Sequence, residues 1–154
     1  NKFRSKVPGI AIRTTLITGY PGETEQDFQE MYSWVAEMKF DRLGVFPYSH
    51  EENTHAFNFD DDVPEEVKQE RAESIMDLQS SISFDLNQKK VGKTFKVLFD
   101  RVEGDSFIGR TQHDSPEVDN EVLVPKLDYI RIGDYANVEI EKADFYDLYG
   151  KIVR

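Results

Sequence analysis

Apolar and polar positions follow three different rhythms along this chain. Between residues 11 and 19, Ile12, Thr14, Thr15, Ile17 and Thr18 supply the β-branched density that suits a strand. Tyr20-Pro21-Gly22 then places Pro before Gly, as a type II turn requires. Thr24 with Asp27 has the spacing of a capping box, with Asp in place of Glu. Phe28, Met31, Tyr32, Val35 and Met38 recur at helical spacing, which predicts an amphipathic helix to about Lys39. Leu43 to Phe46, bounded by Pro47, predicts a second strand. A strand-helix-strand unit implies parallel strands and a right-handed crossover. Two parallel strands cannot bury both of their faces. Residues 1–62 are therefore expected to be part of a larger α/β domain.

The second rhythm is one long helix. Val67, Arg71, Ile75, Leu78, Ile82 and Leu86 mark one face, after a start rich in acids. Asp60 to Asp62 offer N-cap candidates, and Pro64 sits where a first-turn proline is tolerated. A helix over residues 64–90 would be roughly 40 Å long at 1.5 Å per residue. Residues 63–90 thus read as a linker between two domains. The third rhythm, over residues 91–154, alternates with a period of two. Phe95, Val97 and Phe99 alternate with Thr94 and Lys96, and Val138 and Ile140 with Glu139 and Glu141. Glu103-Gly104-Asp105 and Gly133-Asp134 supply turns. Returns at Phe107–Thr111, Val122–Val124 and Asp147–Val153 bring the expectation to five short strands closing into an OB-like barrel.

Charge and composition narrow what this architecture can do. The chain has 154 residues with 19 basic and 30 acidic side chains, a net charge of −11. Residues 91–154 carry nine basic and thirteen acidic groups, a net −4. Broad, sequence-blind binding to nucleic acid needs a cationic footprint, so this balance favours a basic partner. There is no Cys, which removes thiolate metal sites, iron–sulfur ligation and cysteine nucleophiles from this chain. No apolar run approaches the ~18 residues of a membrane span, and no leader pattern opens the sequence, so a cytoplasmic location is expected.

Three motifs invite a chemical reading. His50 and His55 are five residues apart in a loop, not the four that would face one ion on a zinc-protease helix, so no metal site is assigned. Gly19-Tyr20-Pro21-Gly22-Glu23-Thr24 is a strand-to-helix corner with glycines, but it lacks the lysine and the second glycine at the spacing of a phosphate loop, and Glu23, Glu25 and Asp27 repel an anion there. It reads as a capped turn or as the lip of a ligand site at strand C-termini. Gly109 to Asn120 links two barrel strands and carries Asp114, Glu117 and Asp119, either as a solvated loop or as a surface for a basic protein.

Arg13 to Thr24, with its Gly-Tyr-Pro-Gly-Glu-Thr ending, resembles a late-barrel strand motif of the radical S-adenosylmethionine methylthiotransferases. Val45 to Ser49 and Glu52 to Ala56 resemble the strand and loop that follow. The long helix and residues 91–154 resemble that family's linker and its C-terminal TRAM domain. Gly109-Arg110-Thr111 with Asp114-Ser115-Pro116-Glu117-Val118-Asp119 is similar to the branch that modifies a ribosomal protein. The resemblance implies a parent enzyme that methylthiolates an aspartate side chain of small-subunit ribosomal protein twelve, using S-adenosylmethionine and two 4Fe-4S clusters. Since both clusters are held by cysteines, this chain would be the C-terminal part only, inert by itself and with no catalytic residue or bound cofactor of its own.

Strand alternation and motif position together place Arg13, Thr15, Ile17, Gly19, Phe46 and Tyr48 near the cofactor in the intact barrel. Arg110, Asp114, Glu117 and Asp119 are the expected contacts to the protein substrate. A transfer-RNA methylthiotransferase, with aromatics such as Phe107 and Tyr135 stacking bases, is the alternative within the family. A stand-alone OB-like binding module is the alternative outside it. Opened strand edges in residues 1–62 also predict non-native self-association or partial disorder of that segment.

Overall fold

The structure, a computed structural model, describes residues 2–116, 119–127 and 130–153. The chain divides into two compact units, Asn1–Ile82 and Ser83–Arg154.

In the first unit, α1 (Lys2–Lys6) precedes β1 (Arg13–Thr18), α2 (Glu25–Met38), β2 (Arg42–Pro47) and the first turns of α3 (Glu65–Gln88). The strands pair in parallel, with Arg13 opposite Arg42, Thr15 opposite Gly44 and Ile17 opposite Phe46. The turn between β1 and α2 takes its expected form, with Gly22 at φ +83° and the Glu23 amide donating to Tyr20 O at 2.8 Å. The capping box is also present: the Asp27 amide donates to Thr24 Oγ1 at 3.2 Å and the Thr24 amide to Asp27 Oδ2 at 2.9 Å. At the other end Lys39 adopts a left-handed conformation and its amide returns to Val35 O. Arg4 of α1, which the periodicity did not foresee, donates to Met38 O and Lys39 O at 2.5 and 2.8 Å and closes that helix end.

The buried face of α3 differs from the expected one. Arg71, Ile75 and Ile82 are buried, but Lys68, Ala72 and Gln79 join them while Val67, Leu78 and Leu86 stay half-buried. Burial of Lys68 and Gln79 is possible because each meets partners: Lys68 Nζ lies 2.7 Å from Asp61, and Gln79 Nε2 donates to Phe40 O at 2.9 Å. The Asp60–Asp62 run is likewise redirected. Asp61 holds Lys68, and Asp62 accepts from the Gly22 amide at 2.8 Å.

The second unit is a closed barrel of β3 (Thr94–Glu103), β4 (Ser106–Thr111), β5 (Val122–Pro125), β6 (Tyr135–Ala143) and β7 (Leu148–Val153). Its order is β3-β4-β5-β7-β6, antiparallel throughout except for the β5–β7 pair. Val97, Phe99, Phe107, Val122, Val124, Val138, Ile140, Ala143 and Leu148 fill it, which accounts for the alternation read along these strands. Full burial of each larger side chain contributes roughly 1.5–3 kcal/mol. The last turn of α3 belongs to this unit: Asn87 Nδ2 donates to Asp144 O at 3.1 Å and Gln88 Nε2 to Ala143 O at 2.8 Å.

Candidate functional site: an open strand face and a barrel loop

Alternation along β1 turns Leu16 and Thr18 toward the helices and leaves Arg13, Thr15 and Ile17 exposed. Across the register, Phe46 on β2 is 60 % exposed beside Ile17 at 53 %. Four of the six positions expected near a cofactor therefore share one open sheet face. The other two leave it. Gly19 is buried at φ +71°, and Tyr48 is 7 % exposed. Both lie beyond the strand ends at Thr18 and Pro47, where the period of two no longer applies.

Gly19 and Tyr48 instead meet a buried cation. Lys68 packs where a side chain on Gly19 would go, and its ammonium lies 5.3 Å from the Tyr48 ring centre. Burial opposes the Lys68 charge, but Asp61 at 2.7 Å and Glu65 at 3.6 Å hold its pKa above the ordinary lysine value. Burial and the nearby Asp61 charge push the Tyr48 phenol up. Its hydroxyl lies 3.2 Å from His50 Nδ1, and the Tyr20 ring meets it edge-on. One turn further along α3, Arg71 donates to Glu23 Oε1 at 2.7 Å and to Glu25 Oε2 at 3.1 Å. Glu23 Oε1 also accepts from the Gly19 amide at 3.0 Å. Glu23 of the Gly-Tyr-Pro-Gly-Glu-Thr motif, with the neighbouring Glu25, thus binds the strand-end turn to α3. Neither His50 nor His55 is part of a metal-ligating cluster among the described residues; His50 lies tilted on Phe57 and His55 meets Phe59 edge-on.

On the barrel, Arg110 is partly buried and donates through Nε to Asp100 Oδ2 at 2.9 Å. Asp114 is turned inward at 5 % exposure, where Thr111 Oγ1 donates to it at 2.5 Å. Asp119 Oδ2 accepts from the Ser115 amide at 2.7 Å. These two carboxylates fold the loop that carries them. Glu117, the fourth expected contact, lies outside the described residues. Loop and strand enclose a cavity of about 370 Å³, lined in part by Asp100, Arg101, Arg110, Asn120 and Glu121. A smaller groove of about 270 Å³ runs past Lys96, Arg110, Gln112 and Tyr135, with Lys96 Nζ 4.6 Å from the Tyr135 ring centre.

Lys68 and Asn120 were not legible from spacing. A lysine on a helix reads as solvated unless its partners are known, and Asp61 is seven residues away. Asn120 reads as an ordinary loop polar residue.

Residues 91–153 match the TRAM domain family. Over 99 % of its length the chain is 61 % identical to the ribosomal protein uS12 methylthiotransferase RimO of Cytophaga hutchinsonii, covering 35 % of that protein. The same-named protein of Christiangramia forsetii is 61 % identical over 97 % of this chain and 34 % of its own length. That of Parabacteroides distasonis is 49 % identical over 99 % and 35 %. The chain spans about a third of the length of these curated relatives. By sequence the chain is a relative, over nearly its whole length, of about a third of each of these RimO methylthiotransferases, and its residues 91–153 belong to the TRAM domain family.

Proposed function

We propose that this chain is the C-terminal third of a radical S-adenosylmethionine enzyme that methylthiolates an aspartate side chain of ribosomal protein uS12, and that its TRAM barrel recognises the protein substrate. The observation that carries the reading is 61 % identity across nearly the whole chain to relatives named for that activity. The barrel's net −4 supports a basic protein as its partner.

In this reading the open face of β1 and β2 lines the cofactor side of the complete catalytic barrel. Ile17 and Phe46 provide apolar surface, and Arg13 and Thr15 provide polar groups suited to a nucleoside with a charged tail. S-adenosylmethionine would supply the radical, and the iron–sulfur clusters would be held by cysteines elsewhere in the enzyme, since this chain has none. The chain by itself is then catalytically inert. In the full-length enzyme, alanine at Arg13 or Thr15 should weaken S-adenosylmethionine binding. Unchanged affinity at both positions removes the assignment of this face.

A second reading, recognition of transfer RNA by the barrel, draws on the Lys96–Tyr135 groove, where a cation and an exposed aromatic ring adjoin. Titrating the 154-residue chain with purified uS12, with a transfer-RNA anticodon stem-loop and with an unrelated basic ribosomal protein separates the two. Selective binding of uS12 at physiological salt supports the protein substrate. Selective binding of the stem-loop moves the assignment to RNA.

A further inference from the structure

The cavity beside the β4–β5 loop is built around an irregularity in β3. Phe99 pairs with Gly109 and Arg101 with Ile108, which leaves Asp100 as the extra residue of a β-bulge. In a regular strand, consecutive side chains point to opposite faces. Here Asp100 and Arg101 both line the same cavity. Their charges are answered on the spot: Arg110 donates to Asp100, and Arg101 donates to both oxygens of Glu121 at 2.7 and 3.0 Å. The walls therefore offer two cations and two anions in pairs, with no net charge directed at a ligand.

Asn120 completes the wall. It is 8 % exposed, and its Nδ2 is buried with no hydrogen-bond partner among the described residues. A buried amide donor left unmet is destabilising and uncommon in native proteins. A neutral donor between paired charges is matched by a neutral acceptor. An anionic phosphate is disfavoured here, because Asp100 and Glu121 already occupy the guanidinium groups and the barrel is acidic overall. A peptide carbonyl has the right chemistry. An extended segment presents one every ~3.3 Å and leaves its side chains free to reach outward past Arg101, whose other partner Glu103 is 62 % exposed.

We propose that this cavity takes an extended main-chain segment of the basic protein substrate, one backbone carbonyl of which accepts a hydrogen bond from Asn120 Nδ2. The inference rests on the reading of the barrel as a protein-recognition module and assigns a residue and a group to it. Solvent does not reach the nitrogen in the free chain, so the donor is met only once the segment has entered. Asn120 is then a specificity residue whose unmet donor is satisfied only in the complex.

The test uses the 154-residue chain, purified uS12 and the variant Asn120→Leu, which keeps the side-chain shape and removes the donor. A purely structural asparagine would lose stability on this change. A donor waiting for its partner would not, so the thermal midpoint should be unchanged or higher while affinity for uS12 falls roughly tenfold. The wild-type Asn120 side-chain amide resonances should also shift on addition of uS12, a readout that holds even if the variant folds poorly. Wild-type binding with unchanged affinity in Asn120→Leu and an unmoved amide signal overturns the cavity assignment and leaves the protein-recognition reading standing. Failure of the wild type to prefer uS12 over an unrelated basic protein overturns both. Displacement of uS12 by a single-stranded RNA whose binding is lost in Asn120→Leu gives the cavity to RNA and overturns the inference.

Discussion

Lys68 fills the space that a side chain at Gly19 would need. A β-carbon built on Gly19 overlaps Lys68 Cγ and lies 2.9 Å from its Cβ. At φ +71°, Gly19 also holds a backbone conformation that costs an L-residue about 1–2 kcal/mol. Gly19→Ala should therefore destabilise the chain by about 3 kcal/mol, the sum of that strain and of overpacking a closed site. Denaturant midpoints would measure it. A loss under 1 kcal/mol would show that the α3 contact yields freely.

The same lysine gives a pH dependence at the alkaline end. Its pKa is raised in the folded chain despite burial, because Asp61 and Glu65 favour the ammonium. A raised pKa means that the contribution is fully present below the unfolded value of about 10.4 and is lost as pH rises through the folded one. Stability curves of wild type and Lys68→Met should therefore converge above about pH 10.4. Parallel curves through that range would contradict the pairing.

At the start of α2, Thr24 and Asp27 satisfy each other's amides. Thr24→Ala should cost about 1 kcal/mol by chemical denaturation. Hydrogen bonds from Thr24 lower the Asp27 pKa. A lowered pKa stabilises above the unfolded value and is lost as pH falls through the folded one, so the cost of Thr24→Ala should shrink on acidification below about pH 4.

Two glycines let the barrel close. A β-carbon at Gly109 would lie 2.5 Å from Leu98 O and 2.6 Å from Val97 Cγ1, and one at Gly150 would lie 2.6 Å from Val138 Cγ1 and overlap Glu139 O. In both cases one obstacle is the backbone of a paired strand, which cannot move aside without breaking the ladder. Gly109→Ala and Gly150→Ala should each cost more than about 2 kcal/mol, above the typical surface substitution. Hydrogen exchange of the β3 and β6 amides would report it.

Ile17 and Phe46 face each other across the strand register on the exposed side of the sheet. Apolar neighbours without cover favour association. The 154-residue chain is expected to self-associate through this face, and Phe46→Ser should shift sedimentation toward the monomer. An unchanged distribution would place the contact elsewhere.

Several elements were readable because their signals are local. The capping box needs only Thr24 and Asp27 three residues apart, and the type II turn only Pro21 and Gly22. The barrel strands declared themselves because Val97, Phe99, Val138 and Ile140 obey a period of two set by the pleat. The open face of the two-stranded sheet was readable at Arg13, Thr15, Ile17 and Phe46 for the same reason, and the alternation stopped short of Gly19 and Tyr48, where the strands had ended. Helix α1 was missed, since five residues carry too little periodicity to recognise.

The sequence by itself determined the order of the longer elements, the period of each and the net charge. These follow from neighbouring residues and from counting. Tertiary structure decided which polar groups are buried and with whom: Lys68 against Asp61 and Tyr48, Arg71 against Glu23, and Asn120 with its donor unmet. A polar group is buried at tolerable cost only where the fold delivers a partner from elsewhere in the chain. Glu23 and Arg71 are 48 residues apart, and no local pattern encodes their meeting.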